Sequence, residues 1–300
     1  VLTVTEVTTA NSTATEEAPN PIGSSSTDQL TPTATQTLTP TPTNESPTAT
    51  PSLLESGYRL FQCGDDLCIG HMNSVTKLGL TGQFTYISGY SWSPDGNQIV
   101  FDACAGAQLY CPENLYLVSR DGSNLTSLLS GSTTNTRFPA WSPDGEWIAY
   151  HESGALKLIR PDKSEILTIE HNMANNPACP YDIAWSPDSQ RLAWVGGICM
   201  GPDNETQESI WVAKRDGTEK HMIYQTDTFE LTRFSLGWSP DGDSIAARLE
   251  NGDVITVDAN CYALANGCDD SSWSIIPELP EHWLHTFYPQ WAGEEIVSQP

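Results

Sequence analysis

Ala140-Trp141-Ser142-Pro143-Asp144-Gly145 is written in four versions along this chain of 300 residues. Ser91-Trp92-Ser93-Pro94-Asp95-Gly96 precedes it; Ala184-Trp185-Ser186-Pro187-Asp188-Ser189 and Gly237-Trp238-Ser239-Pro240-Asp241-Gly242 follow. Gln290-Trp291-Ala292-Gly293 is a worn fifth copy that keeps the tryptophan and a glycine but has lost the Pro-Asp centre. The tryptophans stand 49, 44, 53 and 53 residues apart, a period that marks a repeat array or a propeller.

The residues of the repeat follow from local physics. Ser-Pro-Asp-Gly fits a type I turn, with a hydroxyl first, proline fixing φ second and glycine fourth. Glycine in the left-handed region then starts the next strand through a bulge. Apolar runs follow each turn: Ile99-Val100-Phe101, Trp147-Ile148-Ala149-Tyr150, Leu192-Ala193-Trp194-Val195 and Ile245-Ala246-Ala247. They do not alternate, which suits strands buried on both faces, as in a sheet held between two others. The tryptophan before each turn is large enough to fill the gap between such sheets. Ser189 breaks the pattern, placing a side chain where φ is expected to be positive, at a cost of roughly 1 kcal/mol. Trp92, Trp141, Trp185, Trp238 and Trp291, with Asp95, Asp144, Asp188 and Asp241, are thus accounted for as structure.

Outside the repeats the composition changes. Residues 1–57 form a Thr/Pro/Ser-rich tract, while every Trp, every Cys and all 13 basic residues lie beyond it. Such a tract cannot bury a core and reads as an extended stalk of the kind that carries O-glycans. Its first seven residues, Val1 to Val7, largely alternate apolar and polar side chains, a short strand signature. Asn11, Asn44, Asn124 and Asn204 each begin an N-glycan acceptor triplet. The net charge of −25 speaks against nucleic acid, whose affinity comes from neutralising phosphates with Lys and Arg. It also disfavours anionic membranes. No apolar run reaches membrane-spanning length, and a start at Val1 without an apolar signal core fits a processed product.

From Tyr58 onward the strand-like runs sort into units of four. The front of the chain lacks a first strand, and the end, around Tyr288 to Trp291, supplies a strand without a unit. Joining the two gives an all-β, five-bladed propeller from 58 to 300 closed by the C-terminal strand, which removes most exposed edges. Glu295-Ile296-Val297 then competes for a place already taken by Tyr58 to Phe61, so either it frays or a sixth blade follows. Trp-Ser-Pro-Asp-Gly before an apolar strand, as at Trp141 to Tyr150, resembles the repeat of the TolB-like propellers, a repeat also found in prolyl-oligopeptidase-type peptidases. Arg120-Asp121-Gly122 and Arg215-Asp216-Gly217, each between third and fourth strands, add to the resemblance. It covers about 58–297 and leaves the stalk outside; TolB-like proteins carry a small α/β domain in that place, a departure that tells against a Tol-system role.

The eight cysteines fall into local pairs: Cys63 with Cys68, Cys104 with Cys111, Cys179 with Cys199, and Cys261 with Cys268. The repeat register puts Cys63 and Cys104 at the end of a second strand, with Cys68 and Cys111 near the start of the next. An even count without Cys-x-x-Cys favours four disulfides within blades, in an oxidising, extracellular or cell-surface setting. His282 and His285 could serve a metal on a helix, but no third ligand accompanies them. Asp203-Asn204-Glu205 and Asp269-Asp270 do not match a calcium loop, and Gly-x-Ser-x-Gly is absent. No cofactor or catalytic set is expected. Three functions compete: a non-catalytic display and protein-binding module, a structural subunit that self-associates through its N-terminal strand, and a hydrolase or lyase using the propeller's central face.

Overall fold

The structure, a computed structural model, describes residues 58–105, 112–129, 135–170, 182–198, 207–226, 231–249, 251–264 and 267–276. The stalk, Val1–Val7 within it and the C-terminal strand around Trp291 lie outside the described residues.

The fold is a five-bladed β-propeller of antiparallel sheets. Blade 1 contributes β1 (Tyr58–Gln62), β2 (Leu67–His71) and β3 (Ser74–Lys77), and blade 2 β4 (Tyr86–Trp92), β5 (Gln98–Cys104), β6 (Glu113–Ser119) and β7 (Thr126–Ser127). Blade 3 holds β8 (Thr136–Trp141), β9 (Ile148–Glu152), β10 (Ala155–Ile159) and β11 (Ile166–Glu170). Blade 4 holds β12 (Ile183–Trp185), β13 (Arg191–Ile198), β14 (Gln207–Lys214) and β15 (His221–Thr226). Blade 5 holds β16 (Leu231–Trp238), β17 (Ser244–Leu249), β18 (Val254–Asp258) and β19 (Trp273–Ile276). Strands follow one another in sheet order, and the first strands touch from blade to blade, β4 to β8, β8 to β12 and β12 to β16, so they form the inner wall. Blade 1 shows three strands among the described residues, one fewer than its neighbours.

The run of apolar residues in each second strand now has its reason. Ile99 and Phe101 pack with Leu60, Ile69 and Leu80 of blade 1. Val100, between them, packs with Trp141, Ile148 and Tyr150 of blade 3. Ala149 lies in the next seam, with Trp185, Leu192 and Trp194 of blade 4, and Ala193 and Val195 lie in the one after, with Trp238, Ile245 and Ala247 of blade 5. Alternate residues of one strand therefore belong to two different cores, and both must be apolar. Trp92, Trp141, Trp185 and Trp238 lie in these seams. Trp185 Nε1 also donates to the Ala140 carbonyl at 3.0 Å and Trp238 Nε1 to that of Ala184 at 3.2 Å, each reaching the innermost strand of the preceding blade.

Candidate functional site

The four Ser-Pro-Asp-Gly turns share one hydrogen-bond scheme. The fourth residue's N–H closes each turn onto the serine carbonyl at 2.8–2.9 Å. The serine hydroxyl donates to the aspartate Oδ1 at 2.5–2.6 Å. The same hydroxyl accepts the N–H of Gln98, Trp147, Arg191 or Ser244 at 2.9 Å, which holds the next strand in place. Partial burial alone would push the carboxyls of Asp95 and Asp188 up, but bonds from the serine hydroxyl and the backbone outweigh it and hold both below the ordinary range. Asp95, Asp144, Asp188 and Asp241 are thus occupied in tying turns. Gly96, Gly145 and Gly242 have φ near +69°, +75° and +77°, and Ser189 takes +60°. Ser189 is no simple flaw: its hydroxyl accepts the N–H of Asp144, in the turn of blade 3, at 2.9 Å.

A cleft of about 510 Å³ opens beside these turns between blades 4 and 5, lined by Arg191, Lys214, Arg215, Asp216, Asp243 and Asn260 among others. Its cations are engaged within the protein. Arg191 donates to Asn260 Oδ1 at 2.8 Å and to the Gly242 carbonyl at 2.6 Å, and lies over the Trp238 ring. Arg215 donates to Asp144 of blade 3 at 2.9 Å, and Lys214 to Glu219.

Among the described residues, a cluster of buried charge lies at the other end of the inner strands, on the seam of blades 2 and 3. Asp102 is fully buried in β5, accepting a hydrogen bond from Ser88 of β4 and the N–H of Phe138 of β8 at 3.2 Å. Burial first, and then the charge of Glu113, push its carboxyl up to about 7 against the pull of its hydrogen bonds and of Arg137. Glu113, also buried, receives Arg137 Nε of blade 3, and its carbonyl accepts the Thr136 hydroxyl at 2.9 Å. Burial and a hydrogen bond to Glu113 raise the Tyr86 phenol. Asp102 lies ten residues after Trp92; the same place holds His151, Val195 and Arg248 in the following blades. His151 is buried, burial pulls its imidazole down to about 3, and its ring nitrogens have no hydrogen-bond partner.

The turn-based reading missed this position, although the signal was there: one aspartate inside the buried run Ile99-Val100-Phe101-Asp102-Ala103. Two more buried aspartates do similar work. Asp66 accepts the N–H groups of Leu67, Gly79 and Leu80 at 2.8–3.1 Å. Asp182 of blade 4 accepts the N–H of Leu236 of blade 5 at 2.6 Å.

Cys63–Cys68 and Cys261–Cys268 are bridged within blades 1 and 5, and Cys104 is disulfide-bonded. Cys111, Cys179, Cys199, Trp291, His282, His285 and Asp203-Asn204-Glu205 lie outside the described residues. Asp269 caps a turn, accepting the Ser271 N–H at 2.9 Å. Among the described residues no group of three or more His, Cys, Asp or Glu side chains could hold a metal, and no helix is long and apolar enough to cross a membrane.

No protein-family model and no curated protein matches the chain. Solved structures do. A chain of the nidogen/laminin complex is similar with a TM-score of 0.52 at 13% identity, over 67% of this chain and 73% of that one. A structure described as putative TolB from Agrobacterium tumefaciens aligns at 18% identity and a TM-score of 0.44, over 68% and 77% of the two chains. The tricorn protease aligns at 11% identity and a TM-score of 0.49, with 75% of this chain matched to 24% of that one. At these identities the likeness is one of fold: the chain is similar to β-propellers.

Proposed function

We propose that this chain is a non-catalytic interaction module, a propeller displayed at a cell surface or secreted on a Thr/Pro-rich stalk, whose work is contact with a partner protein. One observation carries the reading: several of the charged groups that lie buried or partly buried in the seams are engaged in joining blades. Asp102, Glu113 with Arg137, Asp182, and Asp144 with Arg215 each bond across a seam, leaving the repeat's chemistry bound up in its architecture. A catalytic acid or base must instead reach a substrate proton. The disulfides Cys63–Cys68 and Cys261–Cys268 are compatible with an oxidising compartment. That a similar propeller stands in the nidogen/laminin complex agrees with a role in protein contact.

The test has two arms. The full chain, cross-linked at the surface of its source cells, should yield a defined protein partner that rebinds the purified chain in isolation. Incubation with peptide, glycan and lactone substrates should leave them unchanged. Turnover that is lost when Asp102 or Glu113 is replaced would overturn the non-catalytic reading.

A further inference from the structure

We propose that Asp102 is a proton-operated clamp on the seam between blades 2 and 3, one that tightens the seam as the pH falls below neutral. This is independent of which partner the propeller binds.

The geometry starts with two irregular inner strands. The pairing of β4 with β5 shifts between Ile87 and Tyr90, which sets Ser88 and Gly89 opposite the single residue Asp102. The pairing of β8 with β9 shifts between Arg137 and Ala140, at Phe138 and Pro139, and Phe138 takes φ +57°. Asp102 joins these two irregularities, one oxygen taking the Ser88 hydroxyl and the other the Phe138 N–H. The approach is close: a Cβ on Gly89 would stand 2.3 Å from Asp102 Oδ1 and 3.1 Å from Pro139 Cδ. The tie therefore determines how the inner wall of blade 2 meets that of blade 3.

The charges make the tie sensitive to protons. Two buried carboxyls, Asp102 and Glu113, face one cation, Arg137. Full ionisation leaves a negative charge without compensation in the seam, and burial disfavours that state. A proton on Asp102 removes the excess, against the pull of hydrogen bonds that favour the ionised carboxylate. Its O–H then donates to Ser88 Oγ, while the other oxygen keeps the Phe138 N–H. The remaining titratable groups around it, from each described strand that packs there, stay in one state near neutrality. Tyr86 of β4 is held up by burial and Glu113, and His151 of β9, beside the Phe138 ring, is held neutral by burial.

The sign follows from linkage. In the closed seam the Asp102 carboxyl stands at about 7, whereas an opened, hydrated one returns to roughly 3.9. Opening then becomes roughly tenfold easier for each pH unit between about 4 and about 7, and levels off above. His151 works in the opposite sense as the pH falls, so the Asp102 contribution is read as a difference between variants.

Hydrogen–deuterium exchange of β4 and β8 peptides, corrected for the intrinsic pH dependence of exchange, tests the clamp in the full chain. Asp102→Asn keeps both bonds, its carbonyl accepting the Phe138 N–H and its amide donating to Ser88, but carries no proton to lose. Between about pH 5 and about pH 7, opening of wild type should rise by tens of fold while that of Asp102→Asn stays nearly level. Parallel pH profiles for the two proteins would overturn the proposal. If Asp102→Asn does not fold, Glu113→Gln takes its place. Removing that negative charge, and freeing Arg137, lowers the Asp102 carboxyl, so the transition should move to lower pH; an unmoved midpoint would refute the clamp.

Discussion

Ser189 shows how a single side chain can break a local rule and be compensated by a neighbouring blade. Its φ of +60° is costly for a residue with a Cβ, but its hydroxyl satisfies the Asp144 N–H one blade away. Ser189→Ala keeps the strain and loses the bond, so it should destabilise the propeller by about 1 kcal/mol. Ser189→Gly loses the bond but relieves the strain, and should stay within about 0.5 kcal/mol of wild type. Urea denaturation midpoints of the three proteins distinguish these outcomes; an Ala variant as stable as wild type would show that the bond contributes nothing. His151 is the contrasting case. Its imidazole is held down by burial, so neutral His151 favours the fold above the ordinary histidine value, and that contribution is lost as the pH falls below roughly 6.5.

At the scale of the element, the turns between third and fourth strands join blades as the Ser-Pro-Asp-Gly turns do. Gly122, at φ +82°, lies against blade 1, where a Cβ would stand 2.1 Å from the Leu78 carbonyl oxygen. Gly217 occupies the corresponding turn of blade 4 at the same φ, with 3.2 Å to the Ile169 carbonyl oxygen of blade 3. Gly122→Ala combines a forbidden conformation with a clash against backbone, and should cost about 3 kcal/mol or more. Gly217→Ala, strained but with more room, should cost less, and equal losses in thermal denaturation would refute the distinction. Trp141 fills the seam of blades 2 and 3 with Val100, Leu115 and Tyr150. Its replacement by Ala should cost roughly 3–5 kcal/mol through the cavity left behind, and a loss below about 1 kcal/mol would show that the seam does not depend on it.

Across the whole molecule, the charge of −25 sets a repulsion that no single pair offsets. Added salt screens it, shortening the Debye length from roughly 30 Å at 0.01 M to about 8 Å at 0.15 M. The melting temperature should therefore rise with sodium chloride over that range, and a fall would mean that ion pairs such as Arg215–Asp144 outweigh the repulsion. What the sequence determined is what repeats: the tryptophan period, the turn chemistry and the doubly apolar second strands specify a propeller, because each depends on neighbours within a few residues. Local spacing also foretold the pairs Cys63–Cys68 and Cys261–Cys268. The candidate site was not legible in the same way. Asp102 stood out in the sequence only as a charge in a buried strand; its meaning depends on Phe138 and Arg137, more than thirty residues away. Only the stacking of blade 3 on blade 2 places two buried carboxyls beside one half-exposed guanidinium, and that meeting of burial and charge across a seam, which no local spacing encodes, is what makes them chemically distinct.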